Sequence, residues 1–599
     1  MFQSFHETAR PDQGPARLAA LREEMAGEDL DAFLVPRSDA HQGEYVAPRD
    51  ERLAWLTGFT GSAGYCVATR DRAGVFVDGR YRVQVKAQVA PDFTPVDWPE
   101  VSLASWIAEA LPEGGRIGYD PWLFSVAQIR RLEAGLVEAG LVEAVLVPCD
   151  NLVDRIWRDQ PDSPAGKVFV QPPDLAGEPH ESKIARLAAT LGTAECCVLT
   201  LPDSIAWLLN IRGSDIPRNP VPHGFALLHR DGTVALFMAD AKLSEVRDHL
   251  GERVRIHPPE SLLAALATTG GPVRIDPETC PVALRGAITV EVIEDQDPCI
   301  LPKACKNAAE LAGTRAAHLR DAAAMVRFLA WLDSRPPGSL TEIDVVKALE
   351  AERRATNALR DISFETISGS GPNGAIVHYR VTESTDRRVV AGDLLLVDSG
   401  GQYVDGTTDI TRTVAIGDPD TIGAEQRRAF TLVLKGMIAL SRLRFPDGMA
   451  GRDIDVLARV NLWQAGLDYG HGTGHGVGSY LSVHEGPARI SRTGTVPFRP
   501  GMILSNEPGF YREGAYGIRI ENLIAVEPAP ALPDQTVARM LRFETLTWVP
   551  IDRRLVDRPV LGTEDRLWLN GYHAQVLERV GPLVEGRVRD WLEDACAPV

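Results

Sequence analysis

The sequence predicts a multidomain protein, α/β in its first half and α+β in its second. Three observations carry that expectation. The chain has 599 residues, more than one hydrophobic core organises, so two to four domains are expected. Its first half alternates short apolar runs with Ala/Leu/Glu-rich helical stretches, the pattern of a layered α/β architecture. From about residue 302 strand-like runs dominate, with helices between them.

The elements follow in order. A first domain is expected over 1–157. There a helical stretch precedes Asp31-Ala32-Phe33-Leu34-Val35, which reads as a buried strand. A glycine-punctuated loop over 56–64 leads to another strand, and 74–81 gives a strand and a turn. A faint repeat is visible: Ala54-Trp55-Leu56 followed by Arg70-Asp71-Arg72, and Ala206-Trp207-Leu208 followed by Arg230-Asp231-Gly232. A second domain is expected over 158–301, bounded by the polar Pro/Gly-rich run at 158–166 and by a break near 297–302. A third is expected over 302–540. In it Met325, Phe328, Leu329 and Leu332 share one helical face and predict a long core helix. An extension over 541–599 is expected to hold an extended segment at 544–550. A helix should start with Thr563 as N-cap and acids in its first turn, and a last helix should run over 584–592.

Composition narrows the function classes. Hydrophobic residues make up 44%, ordinary for a globular protein. No apolar run approaches the roughly 20 residues that span a bilayer. The first residues lack the basic and apolar regions of a signal peptide, so the expectation is a cytoplasmic protein without a membrane partner. A net charge of -19 without long single-sign runs argues against nucleic acid. The eight cysteines are scattered, with no Cys-x-x-Cys, as expected of reduced, buried thiols.

The chemistry gathers in five short segments of the last third. Asp398 ends the apolar run Leu394-Leu395-Leu396-Val397. Asp409 lies in Gly406-Thr407-Thr408-Asp409-Ile410-Thr411-Arg412, and His475 in His471-Gly472-Thr473-Gly474-His475-Gly476-Val477-Gly478. Glu507 lies in Ser505-Asn506-Glu507-Pro508-Gly509, and Glu521 in Gly517-Ile518-Arg519-Ile520-Glu521-Asn522. Four carboxylates and one imidazole form a hard, oxygen-rich donor set, suited to manganese, magnesium, cobalt or zinc and lacking the thiolates of structural zinc. One carboxylate can bridge two cations about 3–4 Å apart, and such a pair lowers the pKa of a shared water and polarises a carbonyl, which points to hydrolysis. Singly, each residue is more often a cap or a solvated acid. If 518–521 is a strand, Arg519 and Glu521 face one way, and Arg519 is placed to orient ligand carboxylates from behind. The glycines at 472, 474, 476 and 478 rule out a zinc-binding helix through His471 and His475. The phosphate-loop and dinucleotide fingerprints are absent too. The segment reads as backbone that something approaches closely.

These motifs as a set resemble the aminopeptidase P branch of the pita-bread metallopeptidases, in its long three-domain form, and the resemblance covers nearly the whole chain. It implies two creatinase-type N-terminal α/β domains, so that the faint repeat is a duplication, followed by a pita-bread catalytic domain. It implies two divalent metal ions, with Mn2+ the family expectation and Zn2+ or Co2+ as alternatives, on Asp398, Asp409, His475, Glu507 and Glu521. It implies that His378, in Ala375-Ile376-Val377-His378-Tyr379, His471 and His484, in Val483-His484-Glu485-Gly486-Pro487, line the substrate cleft, and that Glu507 doubles as proton shuttle. Imidazoles suit that work, because a departing proline nitrogen needs a proton near neutral pH. The implied substrates are peptides with proline second, and the implied assembly is a homodimer with the C-terminal extension as contact. Two other functions stay open on the same fold: a prolidase confined to dipeptides, and a non-catalytic binding protein. The second would have lost metal ligands, and all five positions here carry a competent one.

Overall fold

A computed structural model describes all residues, Met1–Val599. The chain divides into two compact units, one of Thr8–Ile300 and one of Leu301–Val599 together with Met1–Glu7. The first seven residues therefore pack with the second unit, not with the first domain where the sequence reading puts them. The physical reason is side-chain anchoring: Glu350 accepts from the Phe2 amide at 3.0 Å, and Arg380 donates to the Ser4 and His6 carbonyls at 2.9 and 3.1 Å.

The unit Thr8–Ile300 contains two sheets with one topology. The first comprises β1 (Ala32–Pro36), β2 (Tyr65–Thr69), β3 (Ala73–Val77), β4 (Thr94–Asp97), β5 (Gly115–Tyr119) and β6 (Ala144–Pro148), in the order β4-β3-β2-β1-β5-β6. A small ribbon of β7 (Val168–Val170) and β9 (Ile211–Gly213) flanks the second. That sheet comprises β8 (Cys196–Leu199), β10 (Phe225–His229), β11 (Val234–Phe237), β12 (Val254–His257), β13 (Val273–Ile275) and β14 (Val292–Glu294), in the order β12-β11-β10-β8-β13-β14. In both, a strand pairs antiparallel with a following hairpin and parallel with a later strand. The repeated Trp segments are short helices, Arg52–Thr57 and Pro202–Leu208, that stand before corresponding hairpins. The faint sequence repeat is thus a structural duplication.

In the second unit the helix Ala308–Asp333 buries Met325, Phe328, Leu329 and Leu332, as the periodicity predicts, each contributing about 2 kcal/mol by removal from water. The Asn307 side chain and Glu310 form its capping box. The strands are β15 (Leu359–Ile362), β16 (Ile367–Ser370), β17 (Leu394–Ser399), β18 (Gly401–Tyr403), β19 (Gly406–Thr407), β20 (Ile410–Ala415), β21 (Arg444–Pro446), β22 (Gly474–Gly476), β23 (Glu485–Ile490), β24 (Ile503–Asn506), β25 (Gly509–Arg512), β26 (Tyr516–Arg519), β27 (Asn522–Pro528) and β28 (Met540–Thr545). They form small sheets β15-β18-β19 and β16-β17-β20, a ribbon β25-β26, and a six-stranded sheet β21-β28-β27-β24-β22-β23. The helices Ala424–Ser441 and Gly451–Trp463 pack on the sheets and fill the same core.

The C-terminal extension closes that core. Leu569, Tyr572, Val576 and Leu592 are buried with Phe328 and Val397. Two expectations change in detail. Gly562, at φ 79°, takes the N-cap place, and Thr563 is the first residue of the helix Thr563–Val580, its hydroxyl making no cap. The last helix spans Gly586–Ala595, because a turn at Gly581–Leu583 and an extended Val584 precede it.

Candidate metal centre

Each of the five ligand-type residues stands where a strand ends or two chain segments touch. Asp398 is the penultimate residue of β17, paired in register with Thr411 of β20 on one side and Ile367 of β16 on the other. Asp409 sits in the link between β19 and β20. His475 is the centre of β22, and Glu507 follows β24, its amide donating to the Thr473 carbonyl at 2.8 Å. Glu521 lies between β26 and β27, not within a strand, which corrects the reading of 518–521 as one continuous strand. The chain crosses there from the ribbon to the six-stranded sheet, and the Glu521 amide donates to the Thr411 carbonyl at 3.1 Å. Arg519 and Glu521 nevertheless both reach the site.

The glycines around His475 are set by contact. A Cβ on Gly474 would stand 2.0 Å from the Ser505 carbonyl oxygen, and one on Gly476 2.1 Å from that of Glu485. β22 is therefore sandwiched between β24 and β23 so tightly that only hydrogen fits. The close approach inferred from the glycine run is an approach by the protein's own backbone.

The side chains converge. Ligand atoms of Asp409, His475 and Glu521 all lie within 4.8 Å of one another. The His475 Nε2 is 3.5 Å from Asp409 Oδ2 and 3.4 Å from Glu507 Oε1. Its Nδ1 is 2.9 Å from the Gly476 carbonyl oxygen, an acceptor that holds a proton on Nδ1 and turns Nε2 toward the acids. Asp398 adjoins through Arg519, whose Nη2 donates to Oδ2 at 2.6 Å. The same guanidinium donates to Thr411 Oγ1 at 3.1 Å and to the Tyr511 hydroxyl at 2.6 Å. Thr411 Oγ1 in turn donates to Glu521 Oε2 at 2.8 Å. Ser505 Oγ accepts from the His475 amide at 2.9 Å and donates to Glu507 Oε1 at 3.0 Å.

The electrostatics describe a site short of positive charge. Burial, with repulsion from Asp409 and Glu507, raises the Asp398 carboxyl to about 6 despite Arg519. Burial raises Glu507 against the pull of His475 and Arg519. Burial, then Asp409, Glu507 and Asp398, raise Glu521 well above the usual carboxylate range. Burial pulls the His475 imidazole down, but the hydrogen bond to Asp409 and the Glu507 charge overcome it and raise it to about 9. Two buried oxygens, Asp398 Oδ1 and Glu521 Oε1, have no hydrogen-bond partner. Orphaned carboxylate oxygens cost free energy unless a cation meets them. A hard donor set with two such oxygens fits a pair of divalent ions.

The histidines read as cleft residues are all half-buried. His484 lies edge-on to His475, ring centroids 4.2 Å apart. His471 Nε2 is 2.9 Å from the Tyr511 hydroxyl oxygen, and Arg459 donates to the His471 carbonyl at 2.6 Å. The neighbour of His378, Val377, offers its carbonyl to Arg519 Nη1 at 3.4 Å. Three polar residues of the site escaped the sequence reading: Tyr511, which joins Arg519 to His471, and the hydroxyls Thr411 and Ser505. Tyr511 alternates with Gly509 along β25, but nothing in its sequence neighbourhood marks it as polar machinery.

Residues 312–528 match the model of metallopeptidase family M24, and 539–599 its C-terminal region. Residues 17–156 and 159–310 match two models of creatinase/prolidase N-terminal domains. Aminopeptidase P2 of Arabidopsis thaliana is 40% identical, the alignment covering 96% of this chain and 86% of that protein. The probable Xaa-Pro aminopeptidase P of Coccidioides posadasii is 38% identical over 97% of this chain and 99% of its own. Among solved structures, the X-prolyl aminopeptidase of Caenorhabditis elegans, a cytosolic enzyme with a di-nuclear active site, superposes with a TM-score of 0.91 at 36% identity, covering 98% of this chain and all of that one.

Proposed function

The chain belongs to metallopeptidase family M24, in the long form with two creatinase-type N-terminal domains, and from that premise we propose that it is a metal-dependent aminopeptidase hydrolysing the bond between an N-terminal residue and a following proline. One observation carries the reading most: the buried cluster Asp409, His475 and Glu521, with orphaned oxygens on Asp398 and Glu521. It stands in a chain alike over its full length to aminopeptidases P.

In this reading Asp398, Asp409, His475, Glu507 and Glu521 hold two divalent ions, manganese by family expectation, with zinc or cobalt as alternatives. The pair, when bound, supplies a Lewis acid and a water ionised near neutral pH. The protein's own groups do the rest. Asp398, held by Arg519, receives the free amino terminus. His378 faces the scissile carbonyl, where negative charge grows. Glu507, bonded to Ser505, accepts a proton from the attacking water and passes it on. The proline nitrogen carries no hydrogen and leaves only when protonated. His484, against His475, contacts the proline side, and His471, tied to Tyr511, completes the cleft.

The same reading includes a homodimer and the division 1–157, 158–301, 302–540 and 541–599. It places the protein in the cytoplasm, a setting consistent with eight free cysteines. No helix is long and apolar enough to cross a membrane. The test is cleavage of matched Xaa-Pro-Pro, Xaa-Pro and Xaa-Ala peptides after loading with defined metals. Release of the first residue from Xaa-Pro-Pro is expected, with Xaa-Ala poorly cut. Activity confined to Xaa-Pro dipeptides makes the protein a prolidase. Failure to bind any divalent ion makes it a binding protein.

A further inference from the structure

We propose that Arg412 is a positioning residue of the metal centre, and that the C-terminal extension holds it in place through Tyr572. Arg412 stands in β20, three residues after Asp409, and is 1% exposed. Its guanidinium touches no carboxylate. Nη1 donates to the carbonyls of Thr411 at 2.9 Å and Glu521 at 2.6 Å. Nη2 donates to Asn522 Oδ1 at 2.8 Å, to the Val549 carbonyl at 2.8 Å and to the Tyr572 hydroxyl at 3.1 Å. Nε donates to the Pro550 carbonyl at 3.0 Å.

These acceptors fall into two groups. Thr411, Glu521 and Asn522 belong to the segments that carry the metal ligands, and the Thr411 hydroxyl itself bonds Glu521 Oε2 at 2.8 Å. Val549, Pro550 and Tyr572 belong to the C-terminal extension. The Tyr572 hydroxyl donates to the Val549 carbonyl at 2.8 Å. Its ring stacks on Trp568, centroids 5.4 Å apart at 6°, and on Trp548, 5.8 Å apart at 21°. The hydroxyl that meets Arg412 is therefore fixed by two stacked rings and its own hydrogen bond.

A buried cation without a counter-ion is expensive and persists only where each N–H is bonded. Here the planar fork does what a lysine's point charge cannot, because it joins two segments through directed bonds. It pins the backbone of Glu521, a ligand, and of Thr411, the residue that orients a Glu521 oxygen. It also sets a positive charge behind the acidic cluster while leaving every ligand oxygen free. Groups that orient ligands from behind typically tune metal affinity about 10–100-fold. The extension thereby becomes part of the centre, although none of its residues reaches the ligand atoms.

Arg412's role presupposes the metal centre proposed above. The experiment compares full-length wild type, Arg412→Lys, Tyr572→Phe and Leu592→Ala. Leu592 is buried in the same core, in the last helix. Mn2+ affinity is read by calorimetry, the ligand field by the visible spectrum of the Co2+-loaded protein, and stability by melting temperature. Arg412→Lys is expected to weaken Mn2+ binding about 10–100-fold and to alter the Co2+ spectrum. Tyr572→Phe, which keeps the cation and every carbonyl, should move both in the same direction by less, and it decides the matter if Arg412→Lys does not fold. Leu592→Ala should lower the melting temperature and leave affinity and spectrum alone. Unchanged affinity and spectrum in folded Tyr572→Phe and Arg412→Lys overturn the inference. So does a Leu592→Ala protein that loses as much affinity at equal loss of melting temperature. Wild type that binds no divalent ion refutes the centre itself, a separate result.

Discussion

Replacing Glu342 by glutamine should cost stability at acid pH, and the cost should shrink as pH rises through neutrality. Glu342 is fully buried at the start of the helix Glu342–Arg354 and gathers the loop that carries His378. Its Oε1 accepts from the Ser370 amide at 2.7 Å and from Asn373 at 3.1 Å. Its Oε2 faces Asn373 at 2.9 Å, the Tyr379 hydroxyl at 3.0 Å and the Arg387 amide at 3.2 Å. Burial raises the carboxyl to about 7 against the pull of these donors. From an ordinary value near 4.5, a rise to about 7 corresponds to roughly 3 kcal/mol at about 1.4 kcal/mol per unit. The sign follows from linkage. The folded state favours the protonated acid, so its contribution is fully present below about 4.5 and is lost as pH rises through about 7. The proton has a place, because Oε2–H can donate to the Tyr379 oxygen while that hydroxyl donates to the Thr385 carbonyl at 3.1 Å. A glutamine amide does not titrate, but in either orientation its NH2 faces a backbone donor, the Ser370 or the Arg387 amide, which adds a pH-independent cost of about 1–3 kcal/mol. Calorimetry of the metal-loaded chain from pH 5.5 to 8.5 should show the variant melting below wild type at the acid end. Towards the alkaline end the variant should recover up to about 3 kcal/mol relative to wild type, some 5 °C for a unit of this size. Other titrating groups cancel in the difference, and hydrogen exchange over 370–387 localises it. A difference that does not change with pH would show that the carboxyl does not titrate in this range and refute the reasoning.

Further outcomes are expected of the site and its supports. Asp409→Ala or Glu521→Ala should abolish turnover and lose one or both ions by elemental analysis with little global unfolding, and full turnover in either would count against the centre. His484→Ala should lower kcat about 10²–10⁴-fold with metal retained, whereas unchanged kinetics would return His484 to packing. Asp321→Ala would leave Arg353, now bonded to it at 2.8 and 3.0 Å, buried and unpaired, at a cost of about 3–5 kcal/mol. A melting shift worth less than 1 kcal/mol would refute that. Chelation should lower the melting temperature, because ions that bind only the folded state stabilise it by about 2.7 kcal/mol at a hundredfold excess over Kd. An unchanged melting temperature would mean the acids are content without cations.

The legible parts of the molecule are those whose signal is local. The strand at 32–36, the hairpin at 65–77 and the helix over 308–333 announce themselves by apolar period and turn residues. The Trp-segment repeat exposed the duplicated sheets because a supersecondary unit keeps its spacing when its sequence drifts. The five acid and imidazole positions were legible as segments, and their convergence follows from β17 lying beside β20 and β24 lying between β22 and β27. What escaped was decided at a distance. Nothing near Glu521 reveals that the chain changes sheets there, since the change depends on the Thr411 carbonyl. Nothing near Met1 tells that Glu350 will hold it. Tyr511 looks like any strand aromatic until Arg519 and His471 meet its hydroxyl. Arg412 stands in a quoted motif, yet its acceptors in the extension lie well over a hundred residues away.

Charge balance explains why the site is ringed by so many donors. Asp398, Asp409, Glu507 and Glu521 bring four negative charges, and two divalent ions bring four positive ones, so the bound centre is close to neutral. In water a neutral pair of ions would polarise a carbonyl weakly. Buried as these acids are, 8%, 4% and 1% exposed for Asp398, Asp409 and Glu521, the dielectric is low and small imbalances count. Arg519 supplies one, fixed by Asp398, Thr411 and Tyr511 so that it need not reorganise as charge develops. Arg412 supplies another from behind. Neither guanidinium can deliver a proton near neutral pH, because arginine stays charged there. Under the function proposed above, proton delivery to a departing proline nitrogen therefore falls to the imidazoles and to Glu507. Under that proposal the site divides its labour by chemistry: arginines hold charge, acids hold cations, and the half-buried His378, His471 and His484 are left to handle protons.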